Sequence, residues 1–134
     1  MMDFEQALQE ELTNAIPALG GRVYPLFAQE AKKHNGVPYL IYASSEGLRD
    51  KTLGGYLKSK EVRGELNIIT ERYSDLKAIA KQVIALLIGM EGRRIGSDGP
   101  RIGELTYRMP FETYEPQPDL YRSLIEFTVY FVEE

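Results

Sequence analysis

Polar and apolar positions alternate most cleanly at the end of the chain. Over Leu124–Val132, Ile125, Phe127, Val129 and Phe131 fall on one side and Glu126, Thr128 and Tyr130 on the other. A period of two with one apolar side is the pattern of a half-buried strand in an antiparallel sheet. The same period predicts strands over Val37–Ser44, over Lys60–Thr70 and through Leu105, Tyr107, Met109 and Phe111. In Lys60–Thr70, Val62, Gly64, Leu66 and Ile68 alternate against Arg63, Glu65 and Asn67. In Val37–Ser44, Tyr39, Ile41 and Ala43 share one face and Leu40 and Tyr42 the other, so both faces are apolar and a central or covered strand is expected. Arg22–Pro25 reads as a short extended piece ended by proline.

Two segments have helical spacing instead. Phe4, Leu8, Leu12 and Ala15 form one stripe, with Glu5, Gln9 and Glu10 pointing away. Asp3 with Gln6 three residues on is a capping-box pattern, and Pro17 with Gly20-Gly21 ends the helix. The second stripe, Leu76, Ile79, Ala80, Val83, Ile84 and Leu87, predicts a core-facing helix capped by Ser74, with Gly89 just past its end. Leu86 and Ile88 widen that stripe toward a second covered face.

Between these elements lie polar connections. Residues 28–37 read as an exposed loop, and Ser45–Ser59 as a connection longer than an ordinary hairpin turn. Gly89–Gly103, rich in glycine and arginine, reads as a mobile loop or contact surface, and Tyr114–Asp119 as the link into the last strand. The order of elements is therefore helix, strands, helix, strands.

Composition bounds the class without naming a function. A chain of 134 residues is long enough for one core, so a single domain over 1–134 is expected. Hydrophobic residues at 43% and charged residues at 27% are ordinary for a globular domain. The net charge of −4 offers no global attraction to nucleic acid or anionic lipid. No apolar run reaches the ~20 residues that span a bilayer. The absence of cysteine removes disulfides, thiolate nucleophiles and zinc-thiolate sites.

Each chemical signal has a plainer reading. The glycine-rich stretch with Arg93, Arg94 and Arg101 lacks the Gly-Lys-Ser/Thr ending of a phosphate loop and follows a helix where it should lead into one. His34, the only histidine, has no second histidine to share a metal or orient a proton transfer. The acidic pairs Glu10-Glu11 and Glu133-Glu134 read as solvated charge, and Asp50 between Arg49 and Lys51 as an exposed salt-bridge cluster. Tyrosines 39, 42, 107, 121 and 130 lie on strands, where sheet packing accounts for most of them. Tyr42 and Tyr130, read as outward, are candidate interface anchors. No catalytic, cofactor-binding or metal-binding set emerges.

With these elements in place, the chain resembles the tail-completion, or tail-terminator, proteins of long-tailed phages and prophages. The resemblance rests on the N-terminal helix leading to Arg22-Val23-Tyr24-Pro25 and on Pro38-Tyr39-Leu40-Ile41-Tyr42. It continues through Val62–Leu87, with Tyr73 before the helix and Leu86-Leu87-Ile88-Gly89 at its end. It closes with Tyr121-Arg122-Ser123 running into Ile125–Val129. It implies an α+β fold, an antiparallel or mixed sheet of about four to five strands with two main helices on one face. It implies a ring of copies, usually six, that caps the head-proximal end of the tail tube, stops its polymerisation and joins tail to head. Partners would be other copies, the tail-tube protein and the head-connector proteins, with DNA passing unbound and no membrane involved. The location would be the virion tail, and the host cytoplasm during assembly.

The family carries no motif-defined catalytic or cofactor residues. The expected contacts therefore come from the loops and exposed tyrosines: Arg49, Asp50, Lys51, Tyr42, Arg93, Arg94, Arg101 and Tyr130. Two other readings stand beside this one: a head-closure or connector adaptor of the same particle, and a small α+β ligand-binding module or enzyme.

Overall fold

The structure is a computed structural model and describes residues 3–25, 38–45, 49–52, 55–116 and 120–132. Helix α1 covers Phe4–Ala15 and begins with the anticipated capping box. The Gln6 N–H donates to Asp3 Oδ1 at 2.8 Å, and the Asp3 N–H donates to Gln6 Oε1 at 3.2 Å. A 3-10 turn at Pro17–Leu19 follows, and Gly20 and Gly21 take the left-handed backbone (φ 57° and 78°) that reverses the chain. Strand β1, Val23–Pro25, then runs parallel to β2, Tyr39–Ser45.

All remaining strand pairings are antiparallel. Strand β3 spans Arg49–Thr52, β4 Gly55–Thr70, β5 Ile102–Tyr107, β6 Phe111–Glu115 and β7 Leu120–Val132, while helix α2 spans Tyr73–Met90. The sheet runs β1-β2-β4-β7-β5, with β3 also on β4 and β6 also on β7. The class is α+β with a mixed sheet, as expected. Among the described residues it has seven strands, more than the expected four to five, because two segments read as single units divide.

The first is Ser45–Ser59, read as a loop. Arg49–Thr52 pairs antiparallel with Gly55–Lys60, with Thr52 opposite Gly55. The hairpin was hidden because Arg49–Thr52 holds no apolar residue and Tyr56 and Leu57 sit side by side, so no apolar alternation marks either strand. The second is the strand read through Leu105–Phe111. Pro110, which has no N–H to give a ladder, falls in the break between β5 and β6. Both pieces return to β7, β5 beside Phe127–Phe131 and β6 beside Leu120–Leu124.

Helix α2 differs at both ends from the sequence expectation. It starts at Tyr73 with Arg72 as N-cap and no side-chain cap, so Ser74 lies inside the first turn. Thr70 turns its hydroxyl inward instead, donating to the Arg72 carbonyl at 2.8 Å. Gly89 is helical; the helix ends at Met90 with Glu91 as C-cap, and Gly92 just beyond takes the left-handed backbone (φ 82°) that favours glycine. Leu86 is partly buried against the core while Ile88 is 57% exposed, so the stripe widens at Leu86 but not at Ile88.

One core joins the two helices to one face of the sheet. Phe4, Ala7, Leu8 and Leu12 from α1 and Leu76, Ile79, Val83 and Leu87 from α2 meet Leu40, Leu66, Ile68, Ile125 and Val129. Phe4 stacks on Phe131 at 5.7 Å and tilts against Phe127 at 6.1 Å, which fixes α1 over β7. Gly64 is the small residue that makes room for the Phe127 ring: a Cβ there would lie 2.6 Å from its Cζ. Burying a leucine such as Leu8 or Leu66 contributes about 2 kcal/mol, so these side chains together outweigh any single polar contact.

Candidate functional site

The sheet register separates the predicted contact residues. Leu40 and Tyr42 belong to the core face, and Tyr42 is only 5% exposed. Tyr42 is therefore not outward, as read from the sequence. Its hydroxyl donates to Gln9 Oε1 of α1 at 3.5 Å, and burial pushes its pKa up, with Glu5 and Asp3 adding to the shift. The sequence pattern misled because both faces of β2 carry apolar residues. Tyr130, by contrast, is 41% exposed on the opposite face, beside Glu61 in register.

The arginines of the 92–101 loop are drawn together, but largely to build the loop itself. Arg93 Nη2 donates to Glu11 Oε1 at 2.7 Å and its Nη1 to Glu11 Oε2 at 3.1 Å, a two-pronged pair onto α1. The Gly96 N–H completes the carboxylate at 2.7 Å, and Ser97 Oγ donates to Glu10 Oε2 at 3.2 Å. Glu10-Glu11 is thus the anchor of this loop, where solvated charge had been read. The Arg93 hydrogen bonds hold the Glu11 carboxyl below its usual range despite partial burial, and Glu11 in turn raises Arg93.

Arg94 Nη1 donates to the Gly99 carbonyl at 2.8 Å, and Arg94 bridges Arg101 across the loop. Ile95 is fully buried beneath it. Read as a mobile loop or contact surface, the segment proves a laced turn plugged into the core. Arg101 remains exposed at its rim.

Arg49, Asp50 and Lys51 lie on β3, which pairs with β4, whereas the loop leads into β5 on the far side of β7. Strand β4 is 16 residues long, and its partner β7 pairs with it from Ser59 to Thr70. Gly55–Lys58 therefore pairs with β3 alone and continues as a two-stranded arm. At ~3.3 Å per residue the arm extends about 13 Å past the Ser59–Val132 pairing. His34 and Glu133-Glu134 lie outside the described residues, as does the 28–37 loop.

Sequence reading missed the open face of the sheet. Among the described residues this face carries no helix, and it holds a shallow groove of about 800 Å³. Its charged lining is Glu61, Arg63, Glu65, Arg108 and Glu126, with Thr106, Thr128 and Tyr130 as hydroxyl donors. Arg63 Nε meets Glu61 at 3.1 Å and Arg108 Nη1 meets Glu126 at 3.7 Å. The polar half of each alternating strand was the available signal. What the sequence lacked was the register that places Glu65 opposite Glu126.

A second missed feature is apolar. Met109 (74% exposed) and Phe111 (67%) stand out at the β5–β6 edge. Among the described residues no group of three or more His, Cys, Asp or Glu is placed to hold a metal ion. No described helix is long and apolar enough to cross a membrane. The arrangement offers contact surfaces: an arm, a charged groove and an apolar edge.

Comparison with known proteins agrees with that character. The family described as tail completion protein gp17 matches residues 6–131. A solved chain from the virion of a native gene transfer agent particle is similar in fold, with a TM-score of 0.55 at 17% identity. That match covers 96% of this chain and 97% of the other. A second solved chain has a TM-score of 0.55 at 14% identity over 98% of this chain and 91% of its own. No curated protein sequence matches.

Proposed function

From the premise that this chain belongs to the tail completion protein gp17 family, and so is a structural part of a phage-type tail, we propose that it forms a ring at the head-proximal end of the tail tube. In that position it stops tube polymerisation and joins the tail to the head. The observation that carries this reading is the family match across nearly the whole chain. The surfaces support it physically. A closed ring built from one chain needs two different patches, one for each neighbour. The arm at one end of the sheet and the exposed Met109–Phe111 edge are two such unlike patches.

Partners in this reading are further copies, the tail-tube protein and the head-connector proteins. A chain of net charge −4 lets DNA pass without holding it. The chain acts as one domain over 1–134, without catalysis, in the virion tail and, during assembly, in the host cytoplasm.

Deleting the gene from a producing strain and imaging the particles by electron microscopy tests the proposal. Overlong or uneven tails without heads are expected. Tails of normal length beside unjoined heads would assign the chain to the connector instead, and normal infectious particles would refute a role in tail completion.

A further inference from the structure

The two ends of the strand order are finished differently from β6. At β1 the Val23 N–H donates to the Gly21 carbonyl at 2.9 Å, and Pro25 has no N–H to give. At β5 the loop after α2 closes the outer side. The Gly92 N–H donates to the Ile102 carbonyl at 2.8 Å and the Ile102 N–H to the Arg93 carbonyl at 2.9 Å. Glu91 Oε2 accepts the Leu105 N–H at 2.9 Å. Closure of this kind keeps an edge from pairing with foreign strands. Strand β6 continues the same side of β7, and among the described residues no strand lies beyond it.

Side chains mark the same stretch. Of the six large apolar or aromatic side chains exposed among the described residues, four gather here: Tyr73, Met109, Phe111 and Tyr114. They stand on both faces of the edge. Phe111 is opposite Leu124 on the open face, and Tyr114 is opposite Tyr121 on the helix side. The Tyr73 ring meets that of Tyr121 at 5.7 Å, which brings the start of α2 to the same place. The nearby charges are matched within the copy, Lys77 with Glu112 at 2.7 Å and Arg122 with Glu115 at 3.4 Å. The edge is thus a row of backbone groups between two apolar flanks.

We propose that the next copy in the ring docks on this edge by strand addition. An extended segment of that copy pairs with β6 and packs alternate side chains on Met109 and Phe111 and on Tyr73 and Tyr114. This rests on the reading of the chain as a self-assembling ring and names a contact that builds it. A second copy is the occupant for two reasons. Permanent interfaces between like chains are as apolar as a divided core, with charge depleted at their centre. An uncovered apolar edge also aggregates, so its cover has to be present wherever the chain is made. In a ring the edge meets a different surface of its neighbour and not the neighbour's β6, which would close a two-fold pair.

Sedimentation velocity of the full chain tests the occupant. Wild type is expected to associate beyond a dimer and to stay associated in concentrated salt, since the contact is apolar. Met109→Lys with Phe111→Lys should weaken association by roughly tenfold or more, with an unchanged thermal melt because both side chains are exposed. Hydrogen exchange tests the strand. Amides of residues 111–115 should slow by roughly tenfold or more in wild-type assemblies and not in the double variant.

Assembly that survives the double variant, or that leaves the 111–115 amides unprotected, would overturn the edge contact and leave the ring reading standing. The chain has no native cysteine, so Thr113→Cys reports pairing of β6 with itself. Oxidation to disulfide-linked dimers that grow no further would overturn the head-to-tail contact. A wild-type monomer at every concentration, with overlong tails still made by the deletion strain, would overturn the second copy as occupant and keep the tail role.

Discussion

Glu11 and Arg93, 82 positions apart, form a two-pronged ion pair of 2.7 and 3.1 Å that ties the middle of α1 to the loop after α2. With the Gly96 N–H on the same carboxylate, one side chain organises three groups of a loop otherwise made of glycine and arginine. Glu11→Gln keeps the shape but removes the charge. The expected cost is about 1–2 kcal/mol, at the low end because the Arg93 side chain is 42% exposed and partly screened. Urea denaturation at neutral pH measures it.

The same pair sets an acid dependence. The folded-state pKa of Glu11 is lowered, so its contribution is fully present above the ordinary glutamate value of 4.5 and fades as pH falls through the lower folded value. Wild type and Glu11→Gln should therefore differ in stability at pH 7 and converge in the acid limb. Curves that stay parallel down to pH 3 would mean that Arg93 draws its stability from other groups.

Two glycines are needed for space and not for backbone freedom. A Cβ at Gly64 would lie 2.6 Å from Phe127 Cζ and 2.9 Å from the Ala43 carbonyl oxygen. A Cβ at Gly99 would overlap the Ile95 carbonyl oxygen and come within 2.5 Å of the Ala7 Cβ. Gly64→Ala is expected to destabilise by about 1–3 kcal/mol, since the ring can shift. Gly99→Ala should cost at least as much, because its nearest contact is the Ile95 backbone oxygen and not the end of a side chain. Thermal melts of the two variants give the ranking directly.

How much of this was legible in the sequence depends on whether local periodicity or long-range register decided the outcome. The α1 cap, the α2 stripe and the β7 alternation are local, and each took its predicted form. The parity of Tyr42 is not local. Residues on both faces of β2 are apolar, and only α1 packing over one of them, with Gln9 beside the hydroxyl, shows which face is inside. The hairpin from Arg49 to Lys60 gave no apolar period because its first strand is wholly polar and Tyr56 and Leu57 of its second are adjacent. Ser74 and Gly89 are chemically suited to helix ends, yet the apolar stripe extends the helix past both, and Met90 is fully buried. Glu11 was read as solvent-facing because its partner lies 82 residues away.

Ser123 lies on the core face of β7, fully buried, with no hydrogen-bond partner for its hydroxyl. A buried hydroxyl without a partner costs about 1–3 kcal/mol of desolvation, while its replacement by a methyl of similar shape forfeits little packing. Ser123→Ala is accordingly expected to hold or raise stability, by up to about 1 kcal/mol. Calorimetry that instead found a loss of that size would reveal a bond the hydroxyl makes with water or with Glu112, its cross-strand neighbour.

Phe111 and Met109 present the reverse case, large apolar groups left in solvent. Among the described residues strand β6 has β7 on one side only, so its outer edge also offers backbone groups without a strand partner there. In the isolated chain Phe111 has little burial to lose, and Phe111→Ser should change stability by less than ~0.5 kcal/mol. An exposed apolar edge of this kind marks a contact surface. In the ring reading it meets a neighbouring copy or the tube, and the same variant should fail to restore head-joined tails to a deletion strain. Full complementation by a stably folded Phe111→Ser chain would remove this edge from the assembly and leave the arm to build it.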